Sequence, residues 1–221
     1  MARALVSSKQ LLLPPREAVA KTNELDQGDW NYRPGLGWVS RLRLRAVAAA
    51  LAGPRAGRLL EVGYGSGVFL PELAKHCNEL FGIDVHQNAS MVDAMLKTQG
   101  VRARLLSGSA TDLPFSSGAF DAVVTVSTLE FVPDVPKSVA ELLRVTSPGG
   151  RVVAVTPLKS PILDFGLRIM TGERGEDTFE GRRGTIVPAF ERLGRVERIV
   201  RLPPVVSRLL PLYAVVVARP R

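Results

Sequence analysis

Five short apolar runs alternate along the chain with segments whose apolar positions return every three or four residues. The runs are Arg58–Val62, which breaks at Gly63, then Glu79–Asp84, Arg102–Leu106, Phe120–Val126 and Arg151–Val155. Each is too short for a stable helix and lacks strict apolar–polar alternation, the pattern of a strand buried on both faces. The intervening segments are helical. From Gly37, residues Val39, Leu42, Ala46, Val47 and Leu51 fall on one stripe, Arg41 and Arg45 on another, and Gly53-Pro54 stops the pattern. A second helical stretch lies around Phe69–His76, with Pro71 tolerable only in the first turn, where backbone N–H groups lack intrahelical partners. Ala89–Thr98 and a segment carrying Val139, Leu142 and Leu143, closed by Pro148-Gly149-Gly150, supply two more. Strand and helix in regular alternation predict an α/β fold built on a doubly wound, mostly parallel sheet.

Both ends depart from that rhythm. Residues 1–36 mix apolar, charged and Pro/Gly positions without a sustained period and read as an arm with room for one short helix, ahead of a domain spanning 37–221. Residues 157–188 are irregular, glycine-rich and charged, a connection long enough to be expected as a lid or substrate loop. After a helix near Pro188–Leu193, two final strands are predicted at Arg195–Leu202 and Leu212–Arg219.

The chain has 221 residues, 46% hydrophobic and 23% charged, which suits one core with extra loops. No apolar run approaches the roughly 18 residues of a membrane span, and the N-terminus lacks a signal-peptide core, so a cytoplasmic protein is expected. Cys77 stands alone and the histidines are only His76 and His86, so neither a disulfide nor a metal cluster is expected. The net charge of +8 suits an anionic partner such as RNA, an acidic membrane surface touched peripherally, or a phosphorylated substrate. Biased codon usage in an Arg-, Ala- and Gly-rich chain produces the same excess. Oligomeric state is not encoded in any pattern.

The sharpest chemical signal is Glu61-Val62-Gly63-Tyr64-Gly65-Ser66-Gly67, placed where the first strand ends and a helix begins. Glycines there allow a tight turn and bring backbone close to a ligand. Asp84 closes the second strand about twenty residues on, where a carboxylate can take both hydroxyls of a ribose. A dinucleotide fingerprint would need glycine at 68, and this chain has Val68.

With the loop written G-x-G-x-G, the stretch from Arg58 to Pro157 resembles the class I S-adenosylmethionine-dependent methyltransferases, in particular the ubiquinone/menaquinone-type subgroup. The resemblance implies a Rossmann-like fold and S-adenosylmethionine as cofactor. Glu61 would lie near the methionyl amino group, and Gly63, Tyr64, Gly65 and Gly67 would bound the methionine part. Asp84, followed by Val85, would hold the ribose. Gly108–Phe115 with Phe120-Asp121 resembles the adenine-side segment and places Ser109 and Ala110 against the base, with Ser109 standing where the family commonly has Asp. Ser127–Val132 occupies the active-site edge, Phe131 standing where His is frequent.

Methyl transfer from a sulfonium is a direct displacement that needs alignment and, for an oxygen or protonated amine acceptor, a base. Glu130 and His86 are the candidates, Glu130 with the alternative of a helix N-cap or surface position and His86 with that of a cofactor-side or solvent position. Tyr32, Trp38 and Phe131 are candidates for touching the acceptor, as is Trp30. Arg168, Arg174, Arg182 and Arg183 read as a solvated loop, or as binders of an acceptor phosphate or carboxylate. The expected function is methyl transfer to a small organic or lipid-like acceptor. The alternatives are an RNA or protein methyltransferase and a non-catalytic S-adenosylmethionine-binding regulator.

Overall fold

In the computed structural model the described residues are 10–23, 26, 28–158, 181–203 and 211–221. The main elements are α1 (Leu36–Ala50), β1 (Ala56–Val62), α2 (Leu70–Leu73), β2 (Cys77–Asp84), α3 (Ala89–Thr98), β3 (Arg104–Ser107), β4 (Phe120–Val126), α4 (Val135–Val145), β5 (Thr146–Pro157), α5 (Ile186–Leu193), β6 (Arg195–Leu202) and β7 (Tyr213–Arg219). The arm contributes two 3₁₀ turns, Arg16–Ala18 and Gly28–Tyr32.

The seven strands form one sheet in the order β3-β2-β1-β4-β5-β7-β6, parallel except for β7, which runs against both neighbours. Side-chain alternation divides the apolar residues between the two faces. Leu59, Val124, Val153 and Val155 join α1, α2 and α3 through Val47, Leu73 and Leu96, while Leu60, Val123, Val152 and Ala154 join α4 and α5 through Leu142 and Phe190. Continuous apolar strands therefore follow from helices covering both sides. An edge-to-face trio of Phe81, Phe115 and Phe120 fills the second face, with Phe120 centroids 5.2 Å and 4.9 Å from its partners.

Strand order reverses between β1 and β4. Crossovers leave in opposite directions at this point, and the carboxyl ends of the strands flank a crevice. Because β7 is reversed, its first residue, Tyr213, pairs with Pro157 at the end of β5 and with Leu202 at the end of β6. It thus reaches the same rim as the parallel strands' last residues.

Several boundaries shift by one or two residues from the sequence pattern, β3 among them at Arg104–Ser107 instead of Arg102–Leu106, and two shifts have a clear cause. Pro148-Gly149-Gly150 does not cap α4, which stops at Val145; these residues already belong to β5, whose pairing with β4 begins at Phe120–Thr146 and then shifts register. Gly150 is required there by close approach, since a Cβ would sit 2.9 Å from the Asp121 carbonyl oxygen. Helix α5 starts at Ile186, leaving Pro188 in its first turn. Most of the 157–188 segment lies outside the described residues.

Phe120 is 1% exposed and makes two of the three ring contacts. Phe120→Ala is expected to destabilise the fold by roughly 3–5 kcal/mol in urea titration, without moving the strand ends that form the crevice.

Candidate active site

After β1 the chain turns through Gly63, Gly65 and Gly67, with φ of 81°, 51° and 73°, conformations that L side chains rarely adopt. A Cβ on Gly63 would collide with the Thr128 side chain, and one on Gly67 would lie 2.5 Å from Val92 Cγ1. Gly67 therefore seats the loop on α3. The loop is tied to the end of β2: the Gly65 N–H donates to Asp84 Oδ2 at 2.8 Å, and the His86 N–H to Asp84 Oδ1 at 3.3 Å.

His86 closes the same tie from the other side. Its Nε2 lies 2.9 Å from the Gly65 carbonyl oxygen and its Nδ1 3.1 Å from the Asn88 N–H. A carbonyl only accepts and a backbone N–H only donates, so the ring carries its proton on Nε2 and both nitrogens are engaged. Its flank packs edge-on to Tyr64, centroids 4.9 Å apart. The expectation of His86 as a base is corrected: it is a buried staple of the glycine loop, outside the cavity lining and not in solvent.

The crevice holds a cavity of about 220 Å³. Glu61, Gly63, Tyr64 and Gly65 line it from the first loop, Asp84 and Val85 from the second, and Ser127, Glu130 and Phe131 from the segment after β4. The arm adds Asp26, Trp30 and Asn31; α1 adds Arg43; Pro157 and Tyr213 come from β5 and β7. Asp26 fastens arm to loop, its Oδ1 accepting from the Gly28 N–H at 2.9 Å and the Ser66 hydroxyl at 3.2 Å.

Among the described residues, five buried side-chain polar atoms lack a hydrogen-bond partner, and four of them, Asn23 Oδ1, Glu61 Oε2, the Tyr64 hydroxyl and Glu130 Oε2, belong to residues lining this cavity. Unsatisfied polar groups are costly, so their concentration here marks the place where a polar ligand completes the structure. Burial, and secondarily the Asp84 charge, pushes the Glu61 carboxyl well above the usual range; the same causes raise Tyr64 to about 12. Glu130 is pushed up to about 8 by burial, opposed by its own backbone hydrogen bond and by the charges of Arg43 and Arg183. It is neither a surface residue, at 1% exposure, nor an N-cap: Asp134 caps α4 by accepting from the Lys137 N–H at 2.9 Å.

Several other expectations change. Tyr32 and Trp38 do not line the cavity. The Tyr32 hydroxyl donates to the Pro14 carbonyl at 2.6 Å, holding the arm together, and Trp38 is 52% exposed. Ser109 and Ala110 also lie outside it; the Ser109 hydroxyl shares a 2.8 Å hydrogen bond with the Thr111 hydroxyl, and Ala110 is buried in the second core face. Arg182 and Arg183 are not in a solvated loop: Arg182 Nε donates to the Glu130 carbonyl at 3.0 Å and Arg183 is buried. Arg168 and Arg174 lie outside the described residues.

Sequence reasoning missed Arg43. It stands one turn from both Val39 and Val47, so it interrupts the apolar stripe of α1, and that interruption was the available signal. Its Nη1 donates to the Ser127 hydroxyl at 2.6 Å and its Nη2 to the Ser40 hydroxyl at 2.7 Å, with the guanidinium over the Tyr213 ring at 5.3 Å. Ser127, with φ of 53°, is the sole non-glycine residue at positive φ among the described residues. No group of three or more His, Cys, Asp or Glu among them is arranged for a metal ion, and no described helix is long and apolar enough to cross a membrane.

A crevice at the reversal of a 3-2-1-4-5-7-6 sheet, a left-handed glycine loop and a carboxylate fixed against it describe a nucleoside-binding transferase fold, and known proteins agree. Residues 60–154 match the type 11 methyltransferase-domain family. The chain is 32% identical over 184 residues to a demethylmenaquinone methyltransferase of Roseiflexus castenholzii, covering 76% of this chain and 77% of that one. The chain therefore belongs to the class I S-adenosylmethionine-dependent methyltransferases of the type 11 kind, and it is an enzyme that transfers methyl groups. It is also 35% identical over 114 residues to a phosphatidylethanolamine N-methyltransferase of Cereibacter sphaeroides, covering 50% of this chain and 56% of that one. A SAM-dependent methyltransferase from Aquifex aeolicus shares the fold with a TM-score of 0.65 and 20% identity, over 88% of this chain and 98% of that one.

Glu130 holds a proton in the folded chain that the unfolded chain has released, across the window from pH 4.5 to about 8. Stability falls as pH rises through that window, because the unfolded state binds fewer protons. Glu130→Gln removes this contribution. Its unfolding free energy is expected to gain on the parent from pH 4.5 upward, by on the order of a few kcal/mol, and to level off above about pH 8. His86→Ala, which releases the Gly65 carbonyl, is expected to weaken donor binding by about tenfold in calorimetry while leaving the pH dependence of turnover intact.

Proposed function

We propose that this chain transfers the methyl group of S-adenosylmethionine to a small organic or lipid-like acceptor. The observation that carries the reading is the gathering of unpartnered buried polar atoms around one cavity at the strand-order reversal. When bound there, S-adenosylmethionine supplies an electrophilic methyl carbon on a cationic sulfur.

The residues fit that donor in charge and shape. Glu61, with one oxygen unpartnered, accepts the ammonium of the methionine part, and Arg43, the guanidinium in the cavity wall, faces its carboxylate. Asp84 holds the ribose hydroxyls while keeping the Gly65 N–H aligned. A Cβ direction on Gly65 that meets nothing nearer than Asp26 Oδ1 at 3.5 Å leaves room for the donor against bare backbone, with Gly63 and Tyr64 alongside. Val85, an apolar residue 68% exposed at the rim, is the surface an adenine ring covers. Ser127 orients Arg43 through its hydroxyl.

For the acceptor, Trp30, Phe131 and Tyr213 offer aromatic walls opposite the glycine loop, which suits a planar or lipid-like molecule. The quinone- and lipid-directed names of the relatives point the same way. Alignment of the acceptor against the methyl carbon, with water excluded by the arm, then supplies much of the rate.

Calorimetry with S-adenosylmethionine, followed by detection of S-adenosylhomocysteine over a panel of quinols, lipids and small amines, tests the reading. Saturable binding and turnover on at least one small acceptor are expected. Asp84→Ala should lower donor affinity by about 100-fold and Arg43→Met by about tenfold. Turnover confined to RNA would overturn it.

A further inference from the structure

One polar group in the cavity wall has no part in the donor site described above. Asn23 Oδ1 is buried without a hydrogen-bond partner, and its residue lines the cavity from the arm. An unpaired amide oxygen destabilises the empty protein and is satisfied once a ligand brings an O–H or N–H to it.

The backbone around Asn23 is tied down on both sides. Its carbonyl accepts from the Asp26 N–H at 3.2 Å, and Asp26 Oδ2 accepts from the N–H and the hydroxyl of Thr22, both at 2.9 Å. Asp26 Oδ1 reaches across to the Ser66 hydroxyl on the glycine loop. The Asn88 side-chain amide, in the loop that follows β2, donates to the Thr22 carbonyl at 2.7 Å. Gly28 lies so close to Ser66 that a Cβ there would collide with its hydroxyl. Thr22 and Asp26 are thus fastened to the two loops that meet at Asp84, and Asn23 stands between these fastenings.

Resting on the methyl-transfer reading above, we propose that Asn23 is a second ribose-binding residue, whose carboxamide takes a ribose hydroxyl of the donor alongside Asp84, so that the arm straps the donor in place. The choice of hydroxyl follows from the chemistry. Oδ1 only accepts, which excludes the donor's carboxylate as its partner. The donor's ammonium is served by Glu61 at the end of β1, whereas Asn23 is fastened at Ser66 and Asn88, beside the ribose carboxylate. Each Asp84 oxygen already takes one backbone N–H and can only accept again. A hydroxyl also has lone pairs, which Asp84 cannot serve and an amide N–H can; a carboxamide therefore answers both halves of the group. A donor held by Asp84 and Asn23 together keeps the arm down, and the arm must lift before the used donor is exchanged.

The test is calorimetry of the parent and Asn23→Leu with S-adenosylhomocysteine and its 2′-deoxy and 3′-deoxy analogues, with trypsin cleavage after the exposed Lys21 as a second readout. Asn23→Leu should bind S-adenosylhomocysteine about tenfold more weakly, while one of the deoxy analogues, already weakened in the parent, loses nothing further. Because Oδ1 has no partner in the empty protein, the urea midpoint of the ligand-free variant should match or exceed that of the parent. S-adenosylhomocysteine should slow cleavage after Lys21 in the parent and do so far less in the variant at equal saturation. Unchanged affinity in Asn23→Leu, an equal loss across all three ligands, or equal protection of Lys21 would overturn the assignment. Failure of the parent to bind S-adenosylmethionine or S-adenosylhomocysteine at all would instead overturn the underlying reading, and the role of Asn23 with it.

Discussion

The hydrogen bond from the Gly65 N–H to the Asp84 carboxylate is the constraint on which the rest of this site depends. It joins the ends of two adjacent parallel strands, whose pairing runs from Ala56–Cys77 to Val62–Ile83 and is extended by the Gly63 N–H on the Ile83 carbonyl. Bonds of this kind to a charged acceptor contribute about 1.5–3 kcal/mol. The larger effect is geometric: with the loop pinned, the Gly63 and Gly65 backbone, Glu61 and Asp84 all face one volume. His86 and Asp26 reinforce the pin from β2's far side and from the arm, so the arm is part of the loop's foundation.

Buried glutamates in the body and in the cavity are treated in opposite ways. Glu72 is desolvated by burial, yet hydrogen bonds from His76, the Leu12 N–H and Lys75 bring it down to about 2; Glu141 is likewise lowered by Arg144. Those groups are charged and satisfied. Glu61 and Glu130 are buried, unsatisfied and raised. Glu72 and Glu141 are thus satisfied where they serve structure, while Glu61 and Glu130 are left short of partners where the cavity opens, the usual signature of a site organised for chemistry.

Much of the scaffold was legible because buried parallel strands write themselves as continuous apolar runs, and β4, α3 and β6 fall where the pattern placed them. The start of β5 was not, because between its pairings at Thr146 and Arg151 the register shifts across Ser147–Gly150, which are turn-forming residues. The donor loop was legible because only glycine satisfies its positive φ values. The rest of the cavity lining was hidden for a different reason. Arg43, Asp26 and Tyr213 come from a helix, an arm and the last strand, and nothing local in sequence announces that such distant residues converge. Glu130 was visible as a residue but not as a buried one, since burial arises from the Arg182–Gly184 turn closing over it.

The reversed β7 has a consequence for how this enzyme can diversify. The glycine loop and the Asp84 carboxylate that holds it come from one continuous stretch, β1 through β2, whose strands end at the rim. The facing part of the lining, by contrast, draws on the arm and on a terminal strand that delivers Tyr213 to the rim by its beginning rather than its end. The glycine loop and the Tyr213 side of the cavity are therefore encoded in distant portions of the chain. Because Asp26 of the arm also braces the glycine loop, exchange of the tail rather than the arm is the change that would alter what is methylated and leave the methyl source untouched, a route to new selectivity inside an unchanged frame.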